Sequence, residues 1–204
     1  MNLPNKLTML RIILIPFMMF FYLADFIPYG IGKIIAIAIF IIASLTDLLD
    51  GKIARKRNLV TDLGKFLDPI ADKLLTATAF LLIMADGTIP APWGVIVVAI
   101  IIAREYTVSA LRQIAATKGI VLAADMWGKI KTVVQMIALP VSMLVAYLKV
   151  CGFASTTVVL VFAIISYVLI GFATLLTVMS GIHYLVKNRE CFKDKTAETK
   201  TENK

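Results

Sequence analysis

Residues 47–72 read DLLDGKIARKRNLVTDLGKFLDPIAD, and four of the five carboxylates in this stretch lie beside long apolar segments at helical spacing. The four are Asp47, Asp50, Asp68 and Asp72. A charged side chain at membrane depth costs roughly 2.5–3.5 kcal/mol on insertion scales. These carboxylates therefore need a compensating partner, and the pattern favours a divalent cation.

The spacing of the acids supports a shared metal site. Helical residues three or four apart lie on one face, so Asp47 and Asp50 project together. Gly64, Asp68 and Asp72 share a face of a second helical stretch. Carboxylate oxygens select Mg²⁺, Mn²⁺ or Ca²⁺ over Zn²⁺, and phosphate chemistry favours the first two. A solvated acidic loop is the competing interpretation, but it explains neither the helical spacing nor the small residues.

The composition predicts a membrane protein. The chain has 204 residues, of which 60% are hydrophobic, and a mean hydropathy of +0.89. These values predict one integral membrane domain over residues 1–188, followed by a charged, disordered cytoplasmic tail over residues 189–204.

The net charge of the chain is +8. Because the basic residues flank apolar segments and form no continuous stripe, the sequence argues against a nucleic-acid partner.

Six segments approach the roughly 20 apolar residues that span a bilayer. They lie near residues 7–25, 30–50, 68–86, 92–114, 130–149 and 156–186. We therefore predict an all-α, polytopic membrane protein with six transmembrane helices. The first segment carries Arg11 and Pro16 and has no clear small-residue cleavage site, so we expect a retained helix and no cleaved signal peptide.

The basic residues predict the orientation in the membrane. If both termini face the cytoplasm, only Lys33 and Lys149 of the 21 Lys and Arg residues lie near the outer side. An excess of Lys and Arg marks cytoplasmic loops. The sequence thus predicts a multi-pass protein of the cell membrane whose acidic site and two termini face the cytoplasm.

The chain resembles the CDP-alcohol phosphotransferases at eight fixed positions over 26 residues. The matching pattern is Asp47-x2-Asp50-Gly51-x2-Ala54-Arg55-x8-Gly64-x3-Asp68-x3-Asp72. The resemblance implies a membrane enzyme with six transmembrane helices, usually a homodimer in the lipid bilayer. Such enzymes transfer a phosphatidyl or similar group from a CDP-linked donor to an alcohol and release CMP.

Further blocks resemble the bacterial members of this family that use CDP-diacylglycerol and glycerol 3-phosphate. The blocks are Asn2-Leu3-Pro4-Asn5-x2-Thr8-x2-Arg11, Ala103-Arg104-Glu105, Ser109 to Arg112, and Gly128-Lys129-x-Lys131-Thr132-x2-Gln135. This resemblance implies that the products are phosphatidylglycerophosphate and CMP.

The resemblance also assigns roles to the acids. Asp47, Asp50 and Asp68 would ligate one or two Mg²⁺ or Mn²⁺ ions, two being favoured, and Asp72 would join them as a ligand. By the same analogy Asp72 is the catalytic general base, taking the proton from the primary hydroxyl of glycerol 3-phosphate. A single displacement follows, without a covalent enzyme intermediate.

Two groups of residues are assigned to the nucleotide. One is a face of the first helix, where polar residues recur every three positions: Asn5, Thr8 and Arg11. The other comes from the signature: Gly51, Ala54, Arg55 and Gly64. For the first group the alternative is an anchor at the membrane interface. For the small residues it is close helix packing, and both uses are compatible.

A phosphate-bearing acceptor needs cations, and two polar stripes on apolar helices supply them. The residues assigned to the acceptor phosphate are Arg104, Ser109, Arg112, Lys129 and Lys131. Anchoring by Lys and Arg side chains that reach the interface is the alternative. It explains the ordered polar stripes poorly.

Two other functions stay open. The first keeps the reaction class and changes the acceptor to serine, inositol phosphate or phosphatidylglycerol, although the cationic stripes argue against serine. The second is a divalent-metal transporter, since acids between membrane helices also form cation pathways. Against transport, the acids lie at one membrane edge and no second acidic cluster forms an exit.

Overall fold

The computed structural model describes residues 3–57, 62–117 and 126–187, with side chains described over residues 5–47, at 64, and over 67–116 and 126–187. Within these residues the chain forms six long α-helices and no strand. The helices are α1 Leu3–Leu23, α2 Ile31–Arg57, α3 Asp62–Ala85, α4 Trp93–Thr117, α5 Met126–Val150 and α6 Thr156–Lys187. The prediction of an all-α protein is confirmed for this part of the chain. The predicted tail, 189–204, lies outside it and stays a prediction.

Five of these helices are long and apolar enough to cross a membrane. The spans are Asn5–Leu23, Pro28–Asp47, Trp93–Ala116, Met126–Val150 and Thr156–Lys187. Helix α3 is not among them because its first half carries the charges of the signature. The prediction of six spans is therefore supported for five, and the span in α3 stays a prediction.

The helices extend past the apolar segments from which they were predicted. Helix α2 continues to Arg57, and α3 begins at Asp62, six residues before its predicted apolar segment. Backbone hydrogen bonds do not require apolar side chains, so a helix can continue from the membrane into polar surroundings. The signature is thus divided between the end of one helix and the start of the next.

Small side chains allow the helices to pack closely. Helix α1 packs on α2 and α3, α5 packs on α6 and α2, and α4 contacts α6 and α3. Ala36, Ala43, Ala79 and Ala138 are completely buried at these contacts. At Gly32 an added Cβ would lie 2.3 Å from the carbonyl oxygen of Phe21. Only glycine permits so close an approach of α1 and α2.

The outer face of the bundle is apolar. Phe20, Val168 and Leu175 are 58%, 65% and 56% exposed, and many other large apolar side chains share this exposure. A surface of this extent is unfavourable in water and suits the hydrocarbon core of a bilayer. Together with the five spans, it indicates a multi-pass membrane protein.

Short connections make successive helices antiparallel. The start of α1 consequently lies beside the end of α2 and the starts of α3 and α5, and we call this the site end of the bundle.

At the opposite end of the bundle, hydrogen-bond donors enclose one acid, Asp86. The Tyr22 hydroxyl and the Thr88 amide donate to Asp86, the latter at 2.8 Å, and Lys33 Nζ lies 3.8 Å from its Oδ2. This Asp86 cluster joins α1 and α2 to the connection between α3 and α4.

Candidate active site

A buried polar face of α1 holds two of the predicted metal ligands. Asn5 is 5% exposed, and Thr8 and Arg11 are completely buried. The Thr8 hydroxyl donates to the Asp68 carboxylate, and Arg11 Nη1 forms an ion pair with Asp47 Oδ1 at 2.7 Å. Burial excludes a surface anchor for these residues. The face of α1 instead orients acids on α2 and α3.

Three of the four signature acids line one cavity of about 310 Å³, which we call the acidic cavity. They are Asp47 from α2 with Asp68 and Asp72 from α3. The side chains of Asp47 and Asp72 are 34% and 30% exposed, so both can reach a ligand. Lys73 Nζ lies 3.5 Å from Asp72 Oδ2 and offsets part of the charge.

The remaining signature residues are described less fully. Gly64 is buried in α3. Asp50, Gly51, Ala54 and Arg55 continue α2, but their side chains lie outside the described residues. Their predicted roles stay predictions.

The acids match the chemistry of a hard divalent cation. Among the described residues no group of three His, Cys, Asp or Glu is close enough to hold a metal ion. Carboxylate oxygens are nevertheless the ligands that Mg²⁺ and Mn²⁺ prefer, and three of them face one cavity. Asp50 lies less than one turn beyond Asp47 on α2 and is the fourth predicted ligand. The ligand atoms that these residues offer are therefore of the type that a divalent ion such as Mg²⁺ or Mn²⁺ binds.

A second cavity, of about 360 Å³, adjoins the first and is lined by α3, α4 and α5. We call it the cationic cavity. Five cationic side chains and two acidic ones line it, a surplus of three positive charges. The cations are Lys73, Arg104, Arg112, Lys129 and Lys131, and the acids are Asp72 and Glu105. Such a surplus suits a phosphate group.

The cations in this cavity are not equivalent. Lys131 is buried and forms an ion pair with Glu105. Lys129 is exposed near the start of α5. Arg112 stacks over the Tyr184 ring, its guanidinium carbon 5.3 Å from the ring centroid, and its buried Nε has no hydrogen-bond partner among the described residues. Arg112 and Lys129 are thus best placed to take an anion, while Lys131 shares its charge with Glu105.

Helix α6 supports Arg104 and Arg112, a role that was not predicted from the sequence. Arg104 Nη2 donates to Ser180 Oγ at 2.8 Å, and a Cβ added at Gly181 would meet Arg104 Cγ at 3.0 Å. Tyr184, one turn further, supports Arg112. In the sequence, the only indication of this support is that Ser180 and Gly181 interrupt a long apolar segment and that Tyr184 follows about one helical turn later.

The third cavity is an apolar groove of about 370 Å³ between α2 and α5. The exposed side chains Ile41, Leu45, Val133 and Ile137 border it, so it opens sideways, where a bilayer would lie. Asp47 and Asp72 also line the groove. Asp72 therefore borders the acidic cavity, the cationic cavity and the apolar groove.

Comparison with known proteins agrees with this geometry. The family model described as CDP-alcohol phosphatidyltransferase matches residues 1–186. The chain is 43% identical over 203 residues to a CDP-diacylglycerol–glycerol-3-phosphate 3-phosphatidyltransferase of Bacillus subtilis (strain 168), covering 94% of this chain and 97% of the relative.

A relative of the same name from Rickettsia felis is 35% identical over 191 residues, with the same two coverages, 94% and 97%. Another, from Haemophilus influenzae, is 43% identical over 140 residues, covering 68% of this chain and 73% of the relative. The match of the family model over nearly the whole sequence, together with these identities, shows that the chain belongs to the CDP-alcohol phosphatidyltransferase family.

Proposed function

We propose that this protein transfers a phosphatidyl group from CDP-diacylglycerol to glycerol 3-phosphate, giving phosphatidylglycerophosphate and CMP. The observation that carries the proposal is the position of Asp72 at the junction of three chemically different cavities. The reaction needs a place for acyl chains, one for a pyrophosphate and one for an acceptor phosphate. The activity named for the relatives supports the same reaction.

The donor lipid fits the apolar groove and the acidic cavity. Acyl chains would lie in the groove, whose exposed rim of large apolar side chains faces the bilayer. The pyrophosphate would then lie beside the signature acids, where bound Mg²⁺ or Mn²⁺, two ions in our proposal, would neutralise its charge and that of departing CMP. Asp47, Asp50, Asp68 and Asp72 would hold these ions.

The nucleotide would lie near the start of α1 and the signature glycines. Asn5, Thr8 and Arg11 line the buried face of α1, and two of them already contact signature acids. Their role thus includes orienting the carboxylates as well as contacting the nucleotide. The small signature residues Gly51, Ala54 and Gly64, with Arg55, complete the proposed nucleotide site.

The acceptor fits the cationic cavity. Its surplus of three positive charges suits the phosphate of glycerol 3-phosphate and gives little advantage to serine, which has no net charge. Arg112 and Lys129 would take the phosphate, and Arg104, Ser109 and Lys131 would complete its surroundings. The carbon chain then places the primary hydroxyl toward Asp72.

Asp72 would act as general base in a single displacement. Its carboxylate accepts the proton of the primary hydroxyl as that oxygen attacks the phosphorus of the phosphatidyl group. The bond between this phosphorus and the bridging oxygen breaks, and CMP leaves with the electron pair. Lys73 Nζ, 3.5 Å from Asp72 Oδ2, offsets part of the negative charge beside the reacting groups.

The proposed setting is the cell membrane, with a homodimer whose site ends face the cytoplasm, where glycerol 3-phosphate and divalent ions are available. The distribution of basic residues supports this orientation, since among the described Lys and Arg side chains only Lys33 and Lys149 lie toward the opposite end.

The enclosed Asp86 cluster argues against metal transport, because an exit pathway would need available oxygen ligands at that end. Liposomes containing the protein should take up no more radiolabelled Mn²⁺ than empty liposomes.

A competition assay tests the function. Purified protein in mixed micelles with CDP-diacylglycerol and Mg²⁺ is offered glycerol 3-phosphate, serine and inositol phosphate together, and the lipid products are separated. We expect phosphatidylglycerophosphate to dominate. Chelator should abolish its formation, and Mg²⁺ or Mn²⁺ should restore it. Formation of another phospholipid as the main product would reject the acceptor, and full activity in excess chelator would reject the metal site.

A further inference from the structure

Gln135 is a buried polar residue in the cationic cavity, and no step of the proposed reaction involves it. It lies on α5, is 2% exposed, and lines the cavity together with the cations. Neither its Nε2 nor its Oε1 has a hydrogen-bond partner among the described residues. Buried amides are rarely left unsatisfied in native proteins, because the lost hydrogen bonds with water must be replaced. Gln135 is therefore available to a ligand in this cavity.

The depth of Gln135 distinguishes it from the two lysines of the same helix. With a rise of about 1.5 Å per residue, it lies about 9 Å further into the bundle than Lys129 and about 6 Å further than Lys131. The cavity is also lined by the hydroxyl side chains of Thr76, Ser109 and Thr132. The Thr76 hydroxyl donates to carbonyl groups of its own helix, at 3.3 Å from Asp72 O and 3.2 Å from Lys73 O, and Thr132 donates to Gly128 O at 3.0 Å. Gln135 is a buried neutral group whose donor and acceptor both remain available among the described residues.

We propose that the side-chain amide of Gln135 binds the secondary hydroxyl, on carbon 2, of glycerol 3-phosphate. The inference rests on the proposed function and specifies how its acceptor is recognised. A hydroxyl both donates and accepts a hydrogen bond, which matches the Oε1 acceptor and the Nε2 donor of one amide. A phosphate dianion only accepts, so it would leave Oε1 unsatisfied.

The order of groups in the acceptor matches the order of side chains. With the phosphate at Arg112 and Lys129 and the primary hydroxyl at Asp72, carbon 2 lies between them. Its hydroxyl can turn toward the deeper wall, where Gln135 lies. Gln135 would thus fix the rotation of the acceptor about its carbon chain and direct the primary hydroxyl to the base.

The test uses an analogue that lacks only this hydroxyl. 3-Hydroxypropyl phosphate keeps the primary hydroxyl and the phosphate on a three-carbon chain. In the wild-type protein we expect kcat/KM for glycerol 3-phosphate to exceed that for the analogue by about tenfold or more, because the analogue leaves the buried amide unpaired. In Gln135→Leu the value for glycerol 3-phosphate should fall by about tenfold, and that for the analogue should stay within about twofold.

A matched variant separates recognition from structural damage. Ser142 is also buried on α5, two turns deeper, where its hydroxyl lies 2.7 Å from Ser166 Oγ, outside the cavity. Ser142→Ala should leave the ratio of the two kcat/KM values unchanged. Gln135→Met provides a second apolar replacement if Gln135→Leu folds poorly.

The possible outcomes separate this inference from the proposed function. Equal use of the two acceptors by the wild-type protein would overturn the inference, as would an equal loss with both acceptors in the Gln135 variants. If the wild-type protein formed no phosphatidylglycerophosphate at all, the proposed function would fail first and the inference with it.

Discussion

The two ends of the helix bundle use the same residue types for different purposes. At the end of the bundle away from the site, Asp86 accepts hydrogen bonds from the Tyr22 hydroxyl and the Thr88 amide and lies beside Lys33. At the site end, three carboxylates share a cavity and stay partly exposed, and a neighbouring cavity has a surplus of positive charge. The opposite end satisfies one acid internally, whereas the site end collects like charges.

The difference shows how a structural charge can be told from a functional one in a membrane protein. An acid surrounded by donors from several helices stabilises their arrangement. Acids that repel one another are unfavourable unless a ligand neutralises them, with roughly 4 kcal/mol of repulsion for two charges about 4 Å apart at an effective dielectric near 20. Each kind of acid has a cationic neighbour, since Asp47 pairs with Arg11 and Asp72 with Lys73. Exposure and the presence of further carboxylates in the same cavity are what separate the two kinds.

The largest effect is expected at the reacting acid. Asp72→Asn keeps the shape of the side chain and removes the proton acceptor, so turnover should fall by at least about 10²-fold, the lower end for general base catalysis. Binding of CDP-diacylglycerol, measured by equilibrium dialysis of labelled donor, should persist. Excess Mg²⁺ should not restore turnover. Substantial recovery with added metal would make Asp72 a ligand only and leave the base unidentified.

The corresponding change at the opposite end should affect stability and leave chemistry intact. Asp86→Asn leaves Lys33 without its carboxylate and should lower the free energy of unfolding by about 2 kcal/mol, less than for a fully buried pair. Thermal unfolding in detergent measures the loss, and kcat per folded protein should be unchanged. Asp25→Asn, at an exposed acid in the connection after α1, is the control and should leave the midpoint in place. A large fall in kcat would show that the two ends are coupled.

A smaller effect should separate acceptor binding from donor binding. Arg112→Gln removes a cation from the cationic cavity and should raise KM for glycerol 3-phosphate by about tenfold, equivalent to about 1.4 kcal/mol. The KM for CDP-diacylglycerol should change little. Lys149→Gln, at the opposite end of α5, is the control. Equal changes in both constants would indicate general damage or a contact shared with the pyrophosphate.

The smallest effect concerns the support that α6 gives to Arg104. In Gly181→Ala the new methyl group would approach Arg104 Cγ to 3.0 Å, so the side chain must move by a few tenths of an ångström. We expect KM for glycerol 3-phosphate to rise by about threefold, since a small displacement weakens a charged hydrogen bond without removing it. Gly171→Ala, on the same helix with open space around an added Cβ, should have no effect. Equal behaviour of the two variants would reject the supporting role.

The helices were largely predictable because their signal is local. Apolar segments of membrane length located five spans, and the signature spacing anticipated that Asp68 and Asp72 would face one cavity. The limits of α2 and α3 were not predictable from hydropathy, since both helices extend through charged sequence.

Contacts between distant segments could not be derived from spacing. The hydrogen bond from Thr8 to Asp68, the ion pair of Lys131 with Glu105, and the support of Arg104 by Ser180 depend on how the helices pack. The periodicity of one helix shows which residues share a face but does not specify the residues opposite. Gln135 was visible in the sequence as the last residue of the block that begins at Gly128, yet its unpaired amide appears only once its neighbours are known.

The sideways opening of the apolar groove has a kinetic consequence. A lipid that enters past Ile41 and Val133 arrives by diffusion in two dimensions, whereas a water-soluble acceptor arrives from the bulk solution. The rate at which the donor is met depends on its mole fraction in the membrane, whereas the rate at which the acceptor is met depends on its molar concentration in solution. Diluting CDP-diacylglycerol with inert phospholipid should therefore slow turnover even when its amount per volume is held constant, and the lipid product is released into the leaflet that supplied its precursor.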